Sequence, residues 1–371
     1  MKTRLASLAM LATSVVALSA ISASADQSVR PILDKFPGRT AAQAAADKIV
    51  KARKPGAALS TWNGGFKDLN GTNRTFVMVG PDPAKNNSTT TIPFEVVPVV
   101  LTYSAFKNQK FDPSKDKYDD GETVVDNFLN SPLVKSNVKW KSGGQKLGKT
   151  QYIDAFQRGT FWGYGVSKNS NYHVVLGSPT VMEPLKITVS SGQGVVETNP
   201  FGHQQIGTYG FGPMDTQINN YIGSHSSITP DTFVFFITHN VFLTSGGCCI
   251  GGYHYSTGSA PTSQSYGYTT FVTETPSFSQ DISAATHEIG EWMDDPFPGN
   301  NVVGCFDNSW LEVGDPLEHR SDYGDFPLKV GTFTYHPQDL SYIGYFGAPQ
   351  KWAVKSQLSF HGYGTTICPG Q

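Results

Sequence analysis

The chain has 371 residues, a formal net charge of −2 and a charged fraction of 16%. That length allows one large domain or two modest ones, and the near-neutral balance gives no footing for a nucleic-acid or membrane-surface partner. With 38 Gly, 23 Phe and 16 Tyr, the composition describes a loop-rich, sheet-rich protein and excludes a plain helical bundle.

The chain opens MKTR, continues with an apolar run, and reaches Ala23-Ser24-Ala25, the small-residue pattern of a cleavage site. Residues 1–25 therefore read as a signal peptide, and the mature protein is expected outside the cell or in the periplasm. No later stretch is long and apolar enough for a membrane span. Thr40 to Arg53 is rich in helix formers and is ended by Pro55-Gly56. It carries few large apolar residues, so residues 26–73 read as an N-terminal arm or a pro-segment lying on the main body. Residues 74–371 are then expected to form one domain.

Strand signals begin with TFVMV at 75–79 and continue with TTTIPFEVVPVVLTYS at 89–104. Pro93 and Pro98 in the second run point to an edge strand or a bulge. A helix is expected near 121–130, and another over 150–162 with Tyr152 and Phe156 turned inward. Short strands follow around 172–199, then a helix over 214–224. TFVFFITHNVFL at 232–243 is the strongest buried-strand signal. A Thr- and Tyr-rich strand follows at 265–275. Residues 282–295, ISAATHEIGEWMDD, then form a helix with Ser279–Asp281 as its cap and Pro296 as its stop. The fold class is α+β: a mixed, largely antiparallel sheet packed with this helix.

Four cysteines, Cys248, Cys249, Cys305 and Cys368, favour disulfides in an exported chain. The adjacent pair leaves the connectivity open: the two bridge each other, or each reaches Cys305 or Cys368. The spacing lacks the CxxC of a thiolate metal site.

The helix at 282–295 holds the chemistry. His287 and Glu291 are four apart and share a face, with Asp294 beside them. Imidazole and carboxylate both bind a borderline divalent cation. Glu288 is placed to take a proton from a metal-bound water, the task of the glutamate in His-Glu-x-x-His helices. Gly290 suggests close approach of another backbone or a ligand. A metal needs further ligands, and Glu312, Asp315, His319 and His254 are the candidates. Asp294 is a candidate orienting partner for His287. The bland alternative is a polar helix face turned to solvent. Trp292 reads as core, and His173, His203, His225, His239 and His361 carry no assigned role.

THEIGEWMDDP at 286–296, followed by EVGDP at 312–316, resembles the signature of exordium-like (phosphate-induced) secreted proteins and related bacterial secreted proteins. FFITHNVFLTSGGCCIGGYHYS upstream is similar to their strand and cysteine-containing loop before a histidine, although here the cysteines are adjacent. The resemblance implies a polar set of His254, His287, Glu288, Glu291, Glu312 and Asp315. The order of strand, Thr-rich strand and His-Glu helix also resembles zincin peptidases, in which an edge strand binds extended substrate. That likeness implies a secreted, zinc-dependent hydrolase acting on an extracellular polypeptide or cell-wall substrate. Glu288 would be its base, and Tyr253 or Tyr255 an oxyanion donor. A rival expectation is a non-catalytic wall- or glycan-binding protein with structural calcium. A glycosidase with paired carboxylates is a third.

Overall fold

The apolar run at 232–243 becomes a strand buried on both faces, which places it inside a layered α+β fold. The computed structural model describes residues 39–53, 56–198, 204–273, 279–303, 310–318 and 324–363. The segment 1–25, His203, Cys305, His319 and Cys368 lie outside the described residues. The helices are α1 (Ala41–Lys51), α2 (Val124–Asn130), α3 (Tyr152–Thr160), α4 (Phe211–Ser224), α5 (Ser283–Asp294) and the short α6 (Asp315–Glu318). The strands that position the site are β1 (Thr61–Lys67), β2 (Asn73–Val79), β3 (Phe94–Tyr103), β4 (Gln109–Phe111), β5 (Thr180–Val181), β6 (Leu185–Val189), β7 (Phe233–His239), β8 (Gly252–Ser256) and β9 (Ser265–Phe271).

The central sheet has the order β6-β3-β7-β9-β8, with β4 and β5 also paired to β3. The sheets of the molecule are mixed. Antiparallel pairing supplies the β1–β2 hairpin, β4 on β3 and the outer pair β8–β9. The spine β6, β3, β7 and β9 runs parallel. Parallel strands covered on both faces read as continuous apolar runs, which is why TFVFFIT shows no alternation.

Helices cover both faces. On one face Phe94, Val96, Phe233, Phe235 and Ile237 pack with Phe128 of α2, Phe156 of α3, and Ile289 and Trp292 of α5. On the other, Val97, Val99, Val234, Phe236 and Tyr266 pack with Met214, Ile218 and Ile222 of α4 and Val50 of α1. Trp292 is core, as expected: it is fully buried, stacks on Phe233 with centroids 3.9 Å apart, and donates from Nε1 to Ser265 Oγ at 2.9 Å.

Three expectations change. The 232–243 run is two strands, because Asn240 takes a positive φ of 50° and sends Val241–Thr244 into a separate four-stranded sheet. Pro98 lies in a central strand, not at an edge. The strand pairs β5 at Glu95 and Val96 and β6 from Val99 onward, so Pro98 falls in the gap between them. The described part of the segment before residue 74 packs on the main body as expected, but the boundary does not fall at 73/74. The β1–β2 ladder crosses the 73/74 boundary, α1 packs on α4, and Arg39 Nη1 lies 2.6 Å from the buried Asp215 Oδ2.

Cys248 and Cys249 are disulfide-bonded to each other. Among the described residues no helix is long and apolar enough to cross a membrane.

Candidate metal centre

Helix α5 starts at Ser283 with Ile282 at its N-cap and no side-chain cap, so the cap expected from Ser279–Asp281 is not found; Asp281 Oδ1 accepts instead from Ile282 N at 2.6 Å. It ends where Asp295 leaves helical geometry ahead of Pro296. Every residue of α5 is buried, so the solvent-facing alternative for His287, Glu288 and Glu291 does not hold. The helix lies across β8 and β9. Two glycines allow the approach. A Cβ on Gly252 of β8 would sit 2.7 Å from Glu288 Cγ, and one on Gly314 would sit 2.2 Å from His287 Nδ1. Gly290 makes room for Leu340, whose Cδ1 would be 2.5 Å from an added Cβ, rather than for a backbone or a ligand.

The structure brings His254, His287, Glu288, Glu291, Glu312 and Asp315 together. His287 Nε2 lies 2.7 Å from Glu291 Oε1 and 3.4 Å from Asp315 Oδ1. His254 Nδ1 lies 3.4 Å from Glu288 Oε2 and 3.6 Å from Glu291 Oε2. Donor atoms of His254, Glu291 and Glu312 fall within 4.8 Å of one another, and so do those of His287, Glu288 and Glu291. These buried His and Glu groups are positioned to hold a metal ion.

The tautomers follow from the outer partners. His254 Nε2 faces the carbonyl oxygen of Asp295 at 3.2 Å, and a carbonyl only accepts, so Nε2 carries the proton. Nδ1 is then a lone pair aimed at the carboxylates. His287 Nδ1 faces Gln338 Oε1 at 2.8 Å, while Gln338 Nε2 donates to Gly314 O at 3.1 Å. The amide orientation therefore makes Nδ1 the donor and turns Nε2 inward. Outer hydrogen bonds of this kind fix the ring orientation of metal-binding histidines.

Unsatisfied atoms test the fit to a cation. His287 Nε2, Glu288 Oε1 and Glu312 Oε2 are buried without a hydrogen-bond partner. Such groups are costly in a protein interior unless something completes them. Burial pulls the His254 imidazole down to about 3, so the ring is neutral. Burial raises Glu288 and Glu312 well above the usual carboxylate range, and raises Glu291. For His287 burial opposes the charge, but Glu291 and Asp315 outweigh it and hold the imidazole well above its usual value.

Several expected roles are not found. Asp294 does not orient His287; its Oδ1 accepts from Gln157 Nε2 at 2.8 Å. The orienting group is Gln338, which no local pattern marks. Neither tyrosine of β8 faces the centre, because alternate residues of a strand point to opposite faces. Tyr253 donates to Asp215 Oδ1 at 3.1 Å, and Tyr255 lies under the Arg39 guanidinium at 4.5 Å. The remaining histidines make ordinary local contacts: His173 with Asp154, His225 with Tyr221, His239 with Asp116 and His361 with Asp339.

Comparison with known proteins finds no matching family model, no matching curated protein and no matching solved structure.

Proposed function

We propose that this protein is a secreted, metal-dependent hydrolase of polypeptides, zincin-like in its chemistry. The observation that carries the reading is the pair of inward-facing imidazole nitrogens, His254 Nδ1 and His287 Nε2, set against the Glu291 carboxylate. Two imidazoles with carboxylates suit zinc, whereas calcium takes oxygen ligands, so the nitrogen donors argue for zinc. His254, His287, Glu291 and Glu312 would supply the metal ligands, with Asp315 at the rim.

A zinc ion in such a site supplies Lewis acidity and lowers the pKa of a coordinated water. The chain's own residues do the rest. Glu288 takes and returns a proton at Oε1, which has no other partner; a carboxyl raised by burial suits that task. Gln338 and the Asp295 carbonyl keep the imidazoles in register. Ile289 and Trp292 pack the opposite side of α5 and exclude water. Asp315 has the most exposed side chain among the ion-paired residues of the centre, 13% against 4% or less, and marks the approach from solvent.

One observation favours a second reading. The near-complete burial of the centre also suits a non-catalytic extracellular protein with a structural metal. Casein cleavage by the zinc-loaded chain separates the two. The hydrolase reading expects cleavage by the wild type and a loss of about 10²–10⁴-fold in Glu288→Gln at unchanged zinc content. A fully zinc-loaded wild type that cleaves nothing leaves the structural reading.

A further inference from the structure

We infer that the centre is built for a pair of divalent cations bridged by the Glu291 carboxylate. This deepens the metal-centre reading above and rests on it. The donors divide into two groups that share only Glu291. One is His254, Glu291 and Glu312; the other is His287, Glu288 and Glu291. No group of three donors within the 4.8 Å span contains both imidazoles. A single ion keeps about 2.0–2.1 Å from each imidazole nitrogen, so it would need both nitrogens and a carboxylate oxygen inside such a span.

The orientation of Glu291 fits the division. Its Oε1 lies 2.7 Å from His287 Nε2, and its Oε2 lies 3.6 Å from His254 Nδ1. Each imidazole nitrogen thus has a different oxygen of Glu291 within 3.6 Å, as a bridge requires, while Glu288 Oε2 lies beside His254 Nδ1 at 3.4 Å. Each side has a further buried oxygen without a hydrogen-bond partner, Glu312 Oε2 for the His254 group and, for the His287 group, Glu288 Oε1, which would then face the second ion rather than serve as the base. Asp315 Oδ1, 3.4 Å from His287 Nε2, adds an oxygen on that side.

Charge points the same way. For Glu288 and Glu291, the basic side chains within ion-pair distance among the described residues are the two imidazoles. With Glu312 and Asp315 the centre holds four carboxylates, so one divalent ion leaves two of them uncompensated, while two ions balance all four. Two-metal hydrolytic centres keep their ions about 3.5–4 Å apart, a distance a single carboxylate spans. Such centres stabilise both the attacking and the leaving oxygen of a phosphate ester, so phosphate esters are the substrate class to set beside peptides.

The test loads the full-length chain with manganese(II), counts bound metal by plasma mass spectrometry and records the electron paramagnetic resonance spectrum. The expected result is two ions per chain with an exchange-coupled spectrum. His254→Ala and His287→Ala should each keep one ion and show the spectrum of an isolated ion. One ion in the wild type with an uncoupled spectrum overturns the pair and leaves the single-ion reading standing. No bound ion overturns both. Should a variant fail to fold, the wild-type count and spectrum decide alone.

Discussion

Replacing Gln338 with alanine probes the centre without touching a metal ligand. The side chain is buried and makes two hydrogen bonds, from His287 Nδ1 to its Oε1 at 2.8 Å and from its Nε2 to Gly314 O at 3.1 Å. Each is worth about 1 kcal/mol net, and the two partners left behind are buried, so unfolding stability should fall by about 2–4 kcal/mol. The effect on metal follows from geometry. The Gly314 backbone crowds one side of the imidazole, where even a Cβ would come within 2.2 Å. Without the amide, the ring is free to turn toward the vacated side, carrying Nε2 away from Glu291. Loss of such an outer partner costs about 10–100-fold in metal affinity. That corresponds to about 1.4–2.7 kcal/mol. Zinc affinity is measured by competition with a chromophoric chelator, alongside thermal melts with and without zinc. Gln338→Glu keeps the acceptor for His287 and should retain most of the affinity. A folded Gln338→Ala protein with wild-type zinc affinity would refute the claim that this amide sets the ligand.

Two further predictions concern the scaffold. Arg39→Met removes the guanidinium from Asp215, whose side chain is fully buried. Gln43, Tyr253 and Tyr266 still donate to that carboxylate, so the cost should sit near the low end for a broken buried pair, about 3 kcal/mol, read by urea unfolding. A loss of a few tenths would mean that the segment before residue 74 contributes little to the body. Asp294 gives a pH dependence. Burial pushes its carboxyl up to about 8, against the hydrogen bond from Gln157. The folded state therefore holds this proton after the unfolded chain has released it. The group's contribution is complete below its unfolded pKa, near pH 4, and is lost as pH rises toward 8. Asp294→Asn should flatten the fall in stability across that window in melts taken at stepped pH; an unchanged slope would contradict the assignment.

The residues of the centre were legible because metal chemistry restricts the donor types. His287, Glu288 and Glu291 share a helix, and His254, Glu312, Asp315 and His319 were the nearby candidates; all but His319, which lies outside the described residues, meet. Gln338 was not legible, because it lies 51 residues from His287 and an amide has no metal-site spacing to betray it. Its signal lies only in three dimensions, as does the role of Gly252 and Gly314 in letting a strand and a loop touch the helix. The orientation of Tyr253 and Tyr255 could have been read: if His254 points to α5, strand alternation turns both tyrosines away. The parallel spine was partly visible in the unalternating TFVFFIT run. Pro98 misled because its place between two paired segments depends on where β5 and β6 end and begin.

The central claim is that His254 and His287 present nitrogen ligands to a metal held by Glu291. X-ray absorption at the zinc edge of the zinc-loaded full-length chain tests it most directly. The account predicts a shell of nitrogen and oxygen at about 2.0–2.1 Å with imidazole outer-shell scattering, and a weaker imidazole signal in both His254→Ala and His287→Ala. A chain that takes up no zinc, or a shell without imidazole, would contradict it.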